Sequence, residues 1–123
     1  MKILIVEDEE ILIKVLKEKF EREKFTLALA SDGEMAMTLA KSLKPDLILL
    51  DIILPKKDGL EVLRDLRADP EFQKVPIIMI TNLGDDEKIK EALKLGATDY
   101  LVKAQHPINE VVEKVREYAL KGK

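Results

Sequence analysis

Short apolar runs alternate with segments of helical apolar spacing five times along this chain, and this alternation restricts the fold more than any other feature. Three of the runs are continuous, as expected for strands that helices cover on both faces of a sheet. Strand followed by helix, repeated in this way, predicts an α/β fold with a doubly wound, five-stranded parallel sheet and right-handed crossovers. The five runs are residues 3–6, 25–30, 47–50, 75–80 and 100–102.

Residues at the ends of the predicted helices support the same pattern. Ser31 and Glu34 have the spacing of a capping box, in which both side chains satisfy free amides at the start of the second helix. Asp58 precedes the third helix, where an acidic side chain favours the N-terminus. Gly96 stands where a left-handed residue would end the fourth helix, and Pro107 suits the first turn of the fifth.

The length and composition exclude several classes of protein. A chain of 123 residues suits one domain, which we expect to span residues 1–123. The absence of cysteine and the single histidine exclude disulfides, thiolate metal sites and multi-histidine metal cages. No apolar run is long enough to span a membrane, and the N-terminus turns acidic at Glu7, before a signal peptide could form. With a net charge of −3, we expect a cytoplasmic domain that binds neither nucleic acid nor a membrane.

Polar residues follow the ends of four of the predicted strands. In open α/β sheets, ligands bind beyond the carboxyl ends of the strands. If the first and third strands are neighbours, three carboxylates converge there, and oxygen ligands of this kind favour Mg²⁺. A divalent cation, a lysine and a hydroxyl together suit a phosphoryl group, and a carboxylate beside them can form an aspartyl phosphate. The residues are Glu7 and Asp8 after the first run, Asp51 after the third, Thr81 and Asn82 after the fourth, and Lys103 after the fifth.

Each of these residues also has a purely structural interpretation. The acidic pair after the first run could favour a helix N-terminus through the macrodipole. Asp51 could be a cap, Thr81 a turn residue, Lys103 a solvated charge and Tyr100 a packed strand aromatic. These five explanations would all have to hold at once, so the sequence favours the interpretation with Asp51 as phosphoacceptor.

Four motifs occur in order, each at a predicted strand end: VED at 6–8, LDIILPKKDG at 50–59, IT at 80–81 and GATDYLVK at 96–103. With them the chain resembles, over essentially its whole length, the receiver domain of two-component response regulators, in particular the single-domain chemotaxis regulators. The resemblance implies a flavodoxin-like (βα)5 fold with strand order 2-1-3-4-5.

The resemblance also implies a phosphoacceptor and a set of metal ligands. Asp51 would accept the phosphoryl group. Asp8 and Asp51 would ligate Mg²⁺ directly, with the backbone carbonyl of Ile53 as a third ligand and Glu7 acting through water.

A second group of residues would respond to the phosphoryl group. Lys103 would pair with one of its oxygens, and Thr81 would be the switch hydroxyl that moves to donate a hydrogen bond to it. Tyr100 would be the coupled aromatic residue, which moves inward as Thr81 vacates its space. Pro55 and Gly59 would shape the loop after the acceptor.

The sequence departs from the family pattern at two positions. The family usually has a proline in a cis bond after the lysine, whereas Lys103 is followed by Ala104, so a cis or a trans bond remains open here. Asn82 stands where a very small residue is commoner. Its side chain could crowd or hydrogen-bond an attacking water, and we therefore expect an altered lifetime of the acyl phosphate.

The resemblance implies a signalling switch and not an enzyme. A histidine kinase or a histidine phosphotransfer protein would phosphorylate Asp51. The changed surface of the fourth helix, fifth strand and fifth helix would then regulate a downstream protein effector. The activated domain would act as a monomer or form a homodimer.

Three other functions fit the sequence less well. A flavin- or nucleotide-binding module would need a glycine-rich loop after the first strand, where residues 7–10 are all acidic. A small-substrate phosphatase would need a second aspartate two residues after Asp51, where the apolar Ile53 stands. A degenerate receiver that serves as a constitutive scaffold would not be expected to retain Asp8, Asp51, Thr81 and Lys103 together.

Overall fold

The computed structural model describes residues 1–82, 86–103, 105 and 107–121. Within these residues the strands are β1 (Lys2–Val6), β2 (Thr26–Ala30), β3 (Leu47–Asp51), β4 (Ile77–Thr81) and β5 (Asp99–Val102). The helices are α1 (Glu10–Arg22), α2 (Gly33–Leu43), α3 (Gly59–Ala68), α4 (Asp86–Lys94) and α5 (Ile108–Lys121), with a short 3₁₀ helix at Pro70–Phe72. None of the described helices is long and apolar enough to cross a bilayer.

The strands form one parallel sheet in the order β2-β1-β3-β4-β5. The predicted fold class and strand order are therefore confirmed. Strands β2 and β4 begin slightly later than the apolar runs that predicted them, at Thr26 and Ile77.

Successive residues of each central strand enter two different cores. One core joins the sheet to α2, α3 and α4, and the other joins it to α1 and α5. In β1, for example, Leu4 and Val6 belong to the first core, and Ile3 and Ile5 belong to the second. Because helices cover both faces, nearly every position of a central strand is apolar, which explains the continuous runs in the sequence.

The start of α2 differs in one detail from the prediction. Its N-cap is Asp32, and not Ser31, because the helix begins at Gly33. The Oδ1 atom of Asp32 accepts a hydrogen bond from the amide of Met35 at 2.8 Å. Serine and aspartate cap helices almost equally well, so their order alone does not show which one is the cap.

The other predicted helix ends agree with the structure to within one residue, since Pro107 was expected in the first turn of α5 and lies just before it. Asp58 caps α3, and its Oδ1 atom accepts a hydrogen bond from the amide of Glu61 at 3.0 Å. Gly96 follows α4 with a φ of 104°, a conformation that glycine adopts without strain. Pro107 directly precedes α5, and its carbonyl accepts a hydrogen bond from the amide of Glu110 at 2.8 Å.

The sheet register brings the carboxyl ends of four strands to one edge. Val6 of β1 pairs with Leu50 of β3, and Asp51 pairs with Ile80 of β4. The last residue of β4, Thr81, pairs with Val102 of β5. The polar residues that follow or end these strands consequently lie close to one another.

Candidate functional site

Three carboxylates meet at this edge of the sheet. One oxygen each from Glu7, Asp8 and Asp51 lies within 4.8 Å of the others. Glu7 is 1% exposed and Asp51 is 4% exposed, whereas Asp8 faces solvent. The structure therefore brings together the acidic cluster that the strand ends predicted. Like charges held this closely favour protonation or the binding of a cation.

Backbone amides fix the position of the buried Glu7 carboxylate. Its Oε1 atom accepts hydrogen bonds from the amides of Asp8 at 3.2 Å and Glu9 at 3.1 Å, in the turn that leads into α1. The amide of Glu7 itself donates to the carbonyl of Ala30, at the end of β2, at 2.9 Å. The turn after β1 thus holds the carboxylate in a defined place beside Asp51.

Lys103 contacts three carboxylates from the far side of the cluster. Its Nζ atom lies 2.7 Å from Glu7 Oε2, an ion pair that is not a well-directed hydrogen bond. The same atom donates hydrogen bonds to Glu9 Oε1 at 3.0 Å and to Asp51 Oδ2 at 3.3 Å. The backbone amide of Lys103 donates to the carbonyl of Thr81 at 2.7 Å, which fixes the lysine relative to β4.

The charges of the cluster favour the binding of a cation. Burial, together with the negative charge of Glu7, raises the pKa of Asp51 to about 7, although Lys103 opposes this shift. Burial lowers the pKa of Lys103, but the neighbouring carboxylates more than offset this effect and raise it overall. A divalent cation would relieve the repulsion between the carboxylates, and an all-oxygen donor set with an exposed member suits Mg²⁺ or Mn²⁺.

The loop after β3 folds back so that Gly59 packs against the backbone of Asp51 and Ile52. The amide of Ile53 donates to Asp51 Oδ1 at 3.3 Å, and the amide of Gly59 donates to the carbonyl of Ile52 at 2.7 Å. A Cβ atom on Gly59 would lie 2.0 Å from the Asp51 carbonyl oxygen, so only glycine allows this approach. The carbonyl of Pro55 accepts a hydrogen bond from the amide of Gly33 at 3.3 Å, which docks the loop on the start of α2.

The remaining predicted site residues lie around this cluster. Thr81 is buried at the end of β4, and Tyr100 is exposed on the edge strand β5. The Nδ2 atom of Asn82 donates a hydrogen bond to Glu9 Oε1 at 3.0 Å. An altered acyl-phosphate lifetime stays a prediction, which a phosphate-release time course of Asn82→Ala would test. The Lys103–Ala104 bond lies outside the described residues.

Glu9 is a site residue that the sequence did not single out. It contacts both Lys103 and Asn82. The available signal was the acidic run at residues 7–10, but the run alone does not show which of its members faces the site.

The sequence matches the family described as response regulator receiver domain over residues 3–116. The Bacillus subtilis alkaline phosphatase synthesis transcriptional regulatory protein PhoP is 44% identical over 108 residues, which cover 86% of this chain and 43% of PhoP. The chain spans less than half the length of the curated relatives it matches first.

Solved structures agree with this family match. The receiver domain of the Francisella response regulator 1452 is 30% identical, with a TM-score of 0.89 over 99% of this chain and 98% of that one. The Mn²⁺-bound form of response regulator Rcp1 is 27% identical, with a TM-score of 0.81 over 94% and 89% of the two chains. The chain therefore belongs to the receiver domain family of two-component response regulators, whose members are phosphorylation-dependent signalling switches.

Proposed function

We propose that Asp51 is the phosphoacceptor of a receiver domain that spans residues 1–123, and that a histidine kinase or histidine phosphotransfer protein is the donor. The observation that carries this proposal is the placement of Asp51, buried at the end of β3 between two further carboxylates and the ammonium group of Lys103. A buried carboxylate that acts as a nucleophile needs positive charge beside it, which compensates its own negative charge and that of the incoming phosphoryl group.

The acidic cluster fits a resident Mg²⁺. Asp8 and Asp51 would be direct ligands, the backbone carbonyl of Ile53 a third, and Glu7 would act through water. When bound, the ion would neutralise the carboxylates and stabilise charge on the phosphoryl oxygens. The fit is supported by the three oxygens within 4.8 Å of one another and by the raised pKa of Asp51.

In the transfer step, a carboxylate oxygen of Asp51 forms a P–O bond while the P–N bond of the phosphohistidine breaks. The bonding electron pair leaves with the imidazole nitrogen. Lys103, already 3.3 Å from Asp51 Oδ2, can donate to one phosphoryl oxygen. Thr81, at the end of the neighbouring strand, would donate its hydroxyl to another.

Phosphorylation of Asp51 would change the outer surface of the domain through residues of β4 and β5. Thr81 would move toward the phosphoryl group, and Tyr100 would turn inward from its exposed position. This change would alter the surface formed by α4, β5 and α5, which would bind a protein effector, with homodimer formation as one mode of output. A cytoplasmic location and the absence of nucleic-acid binding by this domain remain part of the proposal.

Chemical phosphorylation tests the proposal directly. Incubation with a small phosphodonor and Mg²⁺ should add the mass of one phosphoryl group, in a form that hydroxylamine removes. Asp51→Asn should abolish the adduct, and omission of Mg²⁺ should strongly reduce it. Equal labelling of the wild type and Asp51→Asn would contradict the assignment. A wild type that accepts no phosphoryl group would instead support a constitutive scaffold.

A further inference from the structure

Glu9 links Lys103 to Asn82 at the mouth of the acidic cluster. Its Oε1 atom accepts hydrogen bonds from Lys103 Nζ and from Asn82 Nδ2, both at 3.0 Å. The three residues come from different segments: the turn after β1, the end of β5 and the end of β4. Their contact is therefore a product of the sheet topology and not of local sequence.

Three carboxylates compete for the ammonium group of Lys103, Glu9 and Asp51 as hydrogen-bond acceptors and Glu7 as an ion-pair partner. An ammonium group has three N–H donors, and three carboxylate oxygens lie within 3.3 Å of this one. A phosphoryl oxygen that enters the site has to displace one of them or compete with it. The partners differ in how easily they can be released.

Glu9 is the partner that can be displaced at the lowest cost. Its side chain is 47% exposed, so water can solvate the carboxylate once it leaves the lysine. Glu7 is buried and held by two amides, and the loss of its ion pair would leave a buried charge uncompensated. Asp51 loses its own negative charge when it accepts the phosphoryl group, but the three phosphoryl oxygens that it then carries are more acceptors than this one contact releases.

We propose that Glu9 is a positioning residue that competes with the phosphoryl group for Lys103, and that Asn82 holds Glu9 in this competing position. The inference rests on the proposed function of Asp51. In the unphosphorylated protein, one N–H group of Lys103 donates a hydrogen bond to Glu9. On phosphorylation this N–H group donates to a phosphoryl oxygen instead, and Glu9 turns toward solvent. Glu9 thus lowers the fraction of the protein that is phosphorylated.

Binding of beryllofluoride, a phosphoryl mimic, tests this proposal at saturating Mg²⁺. Amide NMR titrations should compare the wild type with Glu9→Gln, Asn82→Ala and the double variant. We expect Glu9→Gln to tighten binding about three- to fivefold, because this factor corresponds to the free energy of a partly exposed ion pair. Asn82→Ala leaves the net charge unchanged, and we expect it to tighten binding by a smaller factor. The double variant should bind no more tightly than Glu9→Gln, because Asn82 acts through Glu9.

Glu10→Gln is the matched control. It removes the same charge from the adjacent position, and the described residues show no contact between Glu10 and Lys103. An equal gain in Glu10→Gln and Glu9→Gln would overturn the proposal, since general charge repulsion would then explain the result. An unchanged or weaker affinity in Glu9→Gln, or additive effects of the two substitutions, would also overturn it. If the wild type itself fails to bind beryllofluoride, the assignment of Asp51 fails together with this inference.

Discussion

At the scale of single residues, Asp51 shows the strongest conflict between burial and charge. Burial and Glu7 raise its pKa from 3.8 to about 7, so below about pH 7 the folded protein without a bound cation favours the protonated carboxyl group. A folded-state pKa above the unfolded value contributes stability at low pH. That contribution is complete below about pH 4 and is lost as the pH rises through about 7.

We therefore expect the free energy of unfolding of the metal-free protein to fall between about pH 4 and pH 7. The shift in the pKa of Asp51 corresponds to a decrease in this free energy on the order of 4 kcal/mol. Asp51→Asn should remove most of this slope and be the more stable protein at pH 8, as measured by urea unfolding. Saturating Mg²⁺ should stabilise the wild type more at pH 8 than at pH 5. A slope that persists in Asp51→Asn would show that another group is responsible.

At the scale of secondary structure elements, Arg67 ties α3 to the segments before β4 and β5. Its guanidinium donates to the carbonyls of Gly96 and Val75, both at 2.8 Å, and to the carbonyl of Phe72. It also donates to Thr98 Oγ1 at 3.2 Å. One side chain thus satisfies backbone acceptors from two loops at the end of the sheet opposite the acidic cluster.

We expect Arg67→Ala to lower the free energy of unfolding by about 2–3 kcal/mol, because several charge-assisted hydrogen bonds are lost together. Arg67→Lys should have an intermediate effect, since an ammonium group cannot reach all of these acceptors at once. Arg64→Ala, an exposed position on the same helix, is the matched control and should change stability by less than about 0.5 kcal/mol. Urea unfolding measures all three variants, and equal losses in Arg64→Ala and Arg67→Ala would contradict the bridging role.

At the scale of the whole molecule, an open groove of about 420 Å³ borders the acidic cluster between α1 and α5. Glu9 and Lys103 belong both to the wall of this groove and to the site. Ile11, in the first turn of α1, lines the groove and is 82% exposed. If a protein delivers the phosphoryl group to Asp51, as proposed above, this groove and the exposed Ile11 offer it an apolar contact next to the acidic cluster.

We expect Ile11→Ala to slow phosphotransfer from a histidine kinase that phosphorylates the wild type, on the order of five- to tenfold. Labelling by a small phosphodonor should be unchanged, because that reaction needs no protein contact. The ratio of the two rates is the measurement. Leu120→Ala, an exposed apolar position near the end of α5, is the control and should leave the ratio unchanged. A similar loss of rate with the kinase and with the small phosphodonor would mean that Ile11 affects the reaction at Asp51 and not the contact with the kinase.

Sequence reasoning predicted the parts of this molecule that depend on local patterns. The continuous runs predicted a sheet covered on both faces, and the strand ends predicted where Glu7, Asp51 and Lys103 would gather. The order of the strands came from the resemblance, because loops of similar length can connect parallel strands in several orders. The contact of Glu9 with Asn82 was not predictable, because the acidic run at residues 7–10 does not show which of its members faces the site and the register of three strands decides it.

The close approach of Gly59 to the Asp51 carbonyl also affects how this chain can evolve. Neutral drift can alter the outward-facing positions of the intervening segment, where new side chains extend into water. At position 59 even a methyl group would push on the backbone of the acceptor, 2.0 Å away. Selection that keeps Asp51 in place should therefore also keep glycine at position 59, while its neighbours in the loop are free to vary.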